Sequence, residues 1–131
     1  MAYNFAEVNV AEKRGGKVEE CLFCKIVAGA VPAKKVYESE DLLAFEDIQP
    51  QAPVHVLVIP KKHIPSAHHI QEEDCALIGR LHLAAQRVAQ KLGIAEDGYR
   101  IVTNIGRHGQ QTIPHLHYHV IGGRQLQWPP G

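Results

Sequence analysis

The sequence predicts an α+β domain, an antiparallel sheet of about five strands with one long and one short helix. Three observations predict it. Beyond Asp74 the residues Leu77, Ile78, Leu81, Ala84, Ala85, Val88, Ala89 and Leu92 recur at the helical period and make one long amphipathic helix. Five short segments rich in β-branched and aromatic residues have the length and spacing of strands. The links between the first three are too short for the crossover that parallel strands require, so neighbours run antiparallel.

In chain order, Met1 to Glu20 is polar and aperiodic, contains Gly15-Gly16, and is expected to be a flexible arm (1–20) ahead of a single domain over 21–131. Leu22, Phe23, Ile26 and Val27 fall at helical spacing until Gly29 and Pro32 end the segment after about two turns. Lys35 to Glu38 and Leu42 to Asp47 read as a hairpin turned at Glu38-Ser39-Glu40-Asp41, and Pro50 and Pro53 bracket the next loop. Val54 to Ile59 is β-branched and apolar apart from His55, and Pro60-Lys61-Lys62 stops it, which gives a buried strand with one polar side chain. Asp74 is the expected N-cap of the long helix and Gly93 its C-terminal stop. Tyr99 to Asn104 and Leu116 to Ile121 supply two more strands, joined by a glycine-rich polar loop from Ile105 to Pro114. The Trp128-Pro129-Pro130-Gly131 tail suits neither a central strand nor a helix. Its indole needs a covering surface, for which a partner subunit is one candidate.

At 131 residues and 45% hydrophobic composition the chain is one compact domain. Its 14 basic and 14 acidic residues cancel, leaving no net field to draw it onto a nucleic-acid polymer or a membrane. No apolar run approaches the roughly 20 residues that span a bilayer. The first residues lack the apolar core of a signal peptide, so a cytoplasmic protein is expected. Three cysteines make no even disulfide framework. Cys21-Leu22-Phe23-Cys24 has the spacing of a metal or redox site, and Cys75 is expected to pack along the helix.

Nine histidines are many for this length, and three of them stand in Pro114-His115-Leu116-His117-Tyr118-His119-Val120-Ile121-Gly122. On a strand, side chains alternate faces, so the three imidazoles share one face roughly 6–7 Å apart while Leu116, Tyr118 and Val120 enter a core. Mutual repulsion of like charges keeps such imidazoles neutral near pH 7. A neutral imidazole attacks electrophiles or binds metal, so a nucleophilic site and a three-histidine zinc centre both fit the spacing.

The segment His115 to Ile121 resembles the histidine triad (HIT) signature. Phe45-Glu46-Asp47-Ile48, Gln51-Ala52-Pro53, Leu57 to Ile64, Gly98-Tyr99-Arg100, Gly122-Gly123-Arg124-Gln125 and the Trp128 tail resemble its Hint branch, so the likeness runs from Cys21 to Gly131. It implies a homodimer whose sheet continues across two subunits, and hydrolysis or transfer on purine nucleoside phosphoramidates. By the same likeness His117 is the nucleophile, forming a nucleotidyl-histidine without a catalytic metal or organic cofactor. His119 would bind phosphoryl oxygens and help with the leaving-group proton, and His55 would orient the triad from behind. Asp47 would accept from ribose hydroxyls, Ile48 would contact the nucleotide through its backbone and side chain, and Phe23, Ile26, Phe45 and Leu57 would form the base pocket. The loop donors Asn104, Gln110, Gln111 and Thr112 would cradle phosphate. Thr112 stands where the pattern has serine, while Ile105 and Arg107 replace smaller or more polar residues, changes that bear on leaving-group and nucleotide preference. Some bacterial relatives hold structural zinc on a Cys-x-x-Cys pair with two histidines, here Cys21, Cys24, His63 and His115. A nucleotide-binding interaction dimer with incidental hydrolysis is the alternative function.

Overall fold

The computed structural model describes residues 20–131, so the expected arm lies outside the described residues except for Glu20. Helix α1 (Leu22–Val27) precedes strands β1 (Lys35–Glu38), β2 (Leu42–Glu46) and β3 (Val54–Pro60). Two short 3-10 turns, Ala67–His69 and Glu72–Asp74, lead into helix α2 (Cys75–Lys91), and β4 (Tyr99–Val102) and β5 (Tyr118–Gly122) follow. The sheet order is β1-β2-β3-β5-β4 with every neighbour antiparallel, as expected for the α+β class.

Strand alternation divides the core between the two faces of the sheet. Leu42, Ala44, Val56, Val58 and Val120 meet the α2 stripe of Leu77, Leu81, Ala84, Ala85, Val88 and Ala89 on one side. Leu43, Phe45, Leu57 and Ile59 meet Phe23, Cys24 and Ile26 of α1, and Cys21 just ahead of it, on the other. The long helix thus closes one face, and the short helix leaves part of the opposite face open. His55, Leu57 and His119 lie on that second face, because Leu57 pairs with His119 across β3 and β5.

Three local expectations are corrected. The first concerns the triad, which does not lie on one strand: β5 begins at Tyr118, so His119 is in the sheet while His115 and His117 precede it. The pairing of β3 with β5 stops at Val58 and Tyr118, and in a continued ladder Pro60 would face Leu116 with no N–H to offer. Leu116 instead donates its N–H to the Ile64 carbonyl at 2.6 Å, and His115 donates to Ile113 at 2.9 Å. The second is Asp74, which occupies the N-cap position of α2 without capping it. Its buried carboxylate accepts from Lys62 Nζ at 2.6 Å and from the Gln71 N–H at 2.9 Å, tying the preceding turn to the end of β3. Third, Cys75 opens the helix exposed and takes no part in its packing face.

The C-terminal stop behaves as expected. Gly93 takes φ +76°, Ile94 donates to the Ala89 carbonyl at 3.0 Å and Gly93 to that of Gln90 at 3.2 Å, a Schellman closure that drops Ile94 into the core.

Candidate active site

A cavity of about 560 Å³ opens on the sheet face that α1 leaves uncovered. Phe23, Ile26, Phe45 and Leu57 form its apolar wall, Asp47, Ile48 and Thr112 contribute to its lining, and His117 and His119 line it as well. These nine expected residues come from α1, β2, β3, β5 and two loops, brought together by the register of the sheet. Two further cavities among the described residues, about 690 Å³ beside the β1–β2 hairpin and about 430 Å³ beside β4, contain no histidine or cysteine. Volume alone would choose differently, but the chemistry lies in the 560 Å³ space.

The imidazoles are fixed by hydrogen bonds whose direction the partner dictates. His117 Nδ1 lies 2.7 Å from the His115 carbonyl oxygen. A carbonyl only accepts, so Nδ1 carries the proton and Nε2 keeps its lone pair. The ring is buried edge-on against Phe23, with centroids 5.2 Å apart, and burial holds its pKa below the usual histidine value. The Gln51 N–H donates to His55 Nδ1 at 3.0 Å, which places the proton of neutral His55 on Nε2. That Nε2 is 2.8 Å from His119 Nδ1 and 3.3 Å from Asp47 Oδ2, and the other Asp47 oxygen accepts from the Gln49 N–H at 2.8 Å. The His117 and His119 ring centroids are 5.0 Å apart, closer than strand spacing alone gives, because His117 approaches from outside the strand.

Burial, followed by the neighbouring His117 and His55, pushes His119 down to about 4 against the opposing pull of Asp47. The folded chain therefore binds fewer protons here than the unfolded chain between about 4 and the ordinary 6.5. The contribution of His119 to stability is complete above the unfolded value and is lost as pH falls from 6.5 through about 4. Thermal melts across that window should show the midpoint falling with pH, and His119→Gln should flatten the slope. An unchanged slope in that variant would contradict the depressed pKa.

Not every expected loop residue reaches the cavity. Asn104, Gln110 and Gln111 are absent from its lining. Asn104 Nδ2 donates to the Gly109 carbonyl at 2.6 Å, and Gln111 Nε2 donates to the carbonyls of Pro65 at 2.7 Å and Ile113 at 3.0 Å. These side chains brace the loop from within. Gly109 is needed there, since a Cβ would come within 2.3 Å of the Ile105 carbonyl oxygen. In their place Leu22, Pro32, Ala33, Lys34, Glu46, Gln49 and Ile113 join the lining. Apart from Leu22, on the helical pattern of α1, and Glu46, at the end of β2, these are connecting residues without periodicity, so no sequence pattern marks them.

A second cluster lies behind His117. Cys21, Cys24, His63 and His115 bring their ligand atoms within 4.8 Å of one another, close enough to hold a metal ion. Cys21 Sγ is 3.3 Å from His115 Nδ1, Cys24 Sγ is 3.3 Å from His63 Nδ1 and 3.5 Å from His115 Nδ1, and the two Nδ1 atoms are 3.2 Å apart. Tetrahedral bonds of about 2.3 Å to sulfur and 2.0–2.1 Å to nitrogen put sulfur and nitrogen about 3.5 Å apart and the two nitrogens about 3.3 Å apart, so the donor set fits zinc. His115 Nε2 donates to the Pro60 carbonyl at 2.8 Å, which leaves the Nδ1 lone pair aimed into the cluster. Burial first, and the adjacent Cys21 second, push the Cys24 thiol up to about 12, so a thiolate there calls for a cation. The two clusters share the His115 residue. Its ring faces the cysteines and its carbonyl fixes His117.

A family profile described as HIT domain matches residues 28–126. An uncharacterised HIT-like protein of Synechocystis is 50% identical over 113 residues, covering 86% of this chain and 98% of that protein. Among solved structures, a HIT family hydrolase from Clostridium thermocellum aligns at 48% identity with a TM-score of 0.81, over 83% of this chain and 95% of its own. A HIT family hydrolase from Legionella pneumophila aligns at 48% identity and a TM-score of 0.83, over 85% of this chain and 99% of its own.

Proposed function

The chain belongs to the HIT domain family, and from that premise we propose that it is a nucleotide hydrolase, a purine nucleoside phosphoramidase working through a nucleotidyl-histidine on His117. The observation that carries this reading is the 2.7 Å bond from His117 Nδ1 to the His115 carbonyl, which leaves an unprotonated Nε2 on a ring that lines the cavity. Both similar hydrolases from Clostridium thermocellum and Legionella pneumophila support the hydrolase class.

In this mechanism the His117 Nε2 lone pair forms a bond to phosphorus while the phosphorus–nitrogen bond breaks, and its electron pair leaves with the amine, which takes a proton from solvent that the water of the second step gives back. A neutral nucleophile meets the anionic phosphoryl group without charge repulsion. Water then attacks the nucleotidyl-histidine, returning His117 and releasing the nucleoside monophosphate. His119 donates to a phosphoryl oxygen, Thr112 offers its hydroxyl beside the leaving group, and His55 orients His119. Asp47 takes the ribose hydroxyls, Ile48 contacts the nucleotide, and Phe23, Ile26, Phe45 and Leu57 take the base. Asn104 and Gln111 act by shaping the loop ahead of Thr112, and Gln110 takes part through its main chain, at φ +62° with its N–H on the Arg107 carbonyl. Adenosine phosphoramidate labelled at phosphorus and quenched in the first turnover should leave label on His117. Turnover with no label on any residue would overturn the covalent route.

Cys21, Cys24, His63 and His115 would hold a structural zinc, which when bound would cross-link α1 to the segment carrying the nucleophile. No step of the reaction passes through it. We also read the subunit as half of a homodimer, since β4 is an unpaired edge and Trp128 is 80% exposed. Light scattering at micromolar concentration should give twice the chain mass, and a monomer would contradict the reading. No helix among the described residues is long and apolar enough to cross a membrane. We place the protein in the cytoplasm, with nucleotides as its ligands.

A further inference from the structure

His55 has a single proton to give and two acceptors within reach. Its Nδ1 is occupied by the Gln51 N–H at 3.0 Å, a main-chain donor that cannot reverse, so neutral His55 holds its proton on Nε2. From there it makes the hydrogen bond to His119 Nδ1 at 2.8 Å, while Asp47 Oδ2 lies 3.3 Å from the same nitrogen, near enough for a small turn of the ring to bring it into bonding reach. The same fact argues against a cation among these three side chains, although their ligand atoms lie within 4.8 Å of one another. Metal on His55 Nε2 would need a proton on Nδ1, where the Gln51 N–H already points.

The two acceptors have different consequences for His119. When His55 donates to His119 Nδ1, that nitrogen must be bare, so the proton of His119 sits on Nε2 and is available to donate to a phosphoryl oxygen. When His55 turns to Asp47, His119 Nδ1 is free to carry the proton, and Nε2 then offers an anion a lone pair. Asp47 lines the cavity, one of its oxygens held by the Gln49 N–H, so its carboxylate is open to donors on a ligand.

Building on the nucleotide reading above, we infer that Asp47 is a positioning residue that couples ligand hydroxyls to the tautomer of His119. Hydroxyl groups of a ribose that donate to the Asp47 carboxylate satisfy it. The His55 proton then goes to His119, and the Nε2–H of His119 is left to meet the phosphoryl group. Without those hydroxyls Asp47 competes for the His55 proton and His119 is divided between tautomers. The sugar is thereby read in the rate and not only in the binding.

Imidazole nitrogen shifts of the full chain, labelled with nitrogen-15 at histidine, report the tautomer directly. Saturating AMP should move His119 to the Nε2–H form, whereas saturating 2′,3′-dideoxyadenosine monophosphate should leave it as in the free protein. In turnover, the dideoxy phosphoramidate should lose about tenfold in kcat, a part of what one phosphoryl donor supplies. Asp47→Ala removes the competitor, so its kcat on the dideoxy substrate should exceed that of the natural chain even as its KM for the ribose substrate rises. A residue that only contacts sugar would give no such gain. Equal His119 shifts with both nucleotides, in a protein that binds both, overturn this inference and leave the nucleotide reading standing. Failure of the chain to bind AMP overturns both. Should Asp47→Ala not fold, the comparison of the two nucleotides on the natural chain decides the matter alone.

Discussion

His117→Asn should lower turnover of an adenosine phosphoramidate by on the order of 10⁴-fold or more while leaving AMP affinity within a few-fold. Only this imidazole combines a position in the cavity wall with a tautomer fixed so that its lone pair stays unprotonated on Nε2. His117→Ala should behave alike in chemistry, but it leaves a hole against Phe23 and should melt lower. His119→Ala should lose less, about 10²-fold, because it removes a donor and not the bond-forming atom. Turnover within tenfold of the natural chain in His117→Asn would reject the nucleophile assignment. Loss of AMP binding together with turnover would mean that the ring holds ligand instead of reacting with it.

The second large effect is on stability. The double change Cys21→Ser with Cys24→Ser should abolish binding of about one zinc per chain and lower the melting midpoint by more than about 10 °C, since a site absent from the unfolded chain adds its binding energy to folding. Metal analysis and thermal melts read both. Nucleotidyl transfer to His117 should survive at reduced rate, because the metal acts on His117 only through the His115 carbonyl. Complete loss of chemistry in a folded, metal-free chain would point to catalytic metal. Native protein purified without zinc and with reduced thiols would sink the site.

The elements were legible because their causes are local. The α2 stripe from Leu77 to Ala89 is a period of the helix itself, and the hairpin at Ser39 to Asp41 and the stop at Gly93 are set by neighbours in sequence. The zinc-type ligands were legible for a different reason. Resemblance to a family singled out Cys21, Cys24, His63 and His115 before any geometry brought them within 4.8 Å. Less legible was the break in the triad. Alternation in His115 to His119 describes a strand correctly only where a ladder exists, and Pro60 on the partner strand ends that ladder. Asn104 and Gln111 look like phosphate donors by composition. Carbonyls of Gly109, Pro65 and Ile113 claim them first, and those distances are set by how the loop closes.

By itself, the sequence determined which segments are helix and strand, that the sheet is antiparallel, and which residue types are available for phosphoryl chemistry, since each follows from periodicity, short connections or side-chain identity. Only the tertiary structure decided which nitrogen of each imidazole carries its proton. That choice rests on the His115 carbonyl for His117, the Pro60 carbonyl for His115 and the Gln51 N–H for His55, main-chain groups that side-chain identity does not single out. A backbone donor or acceptor has no signature in a sequence, and its role depends on where sheet register and loop closure carry it.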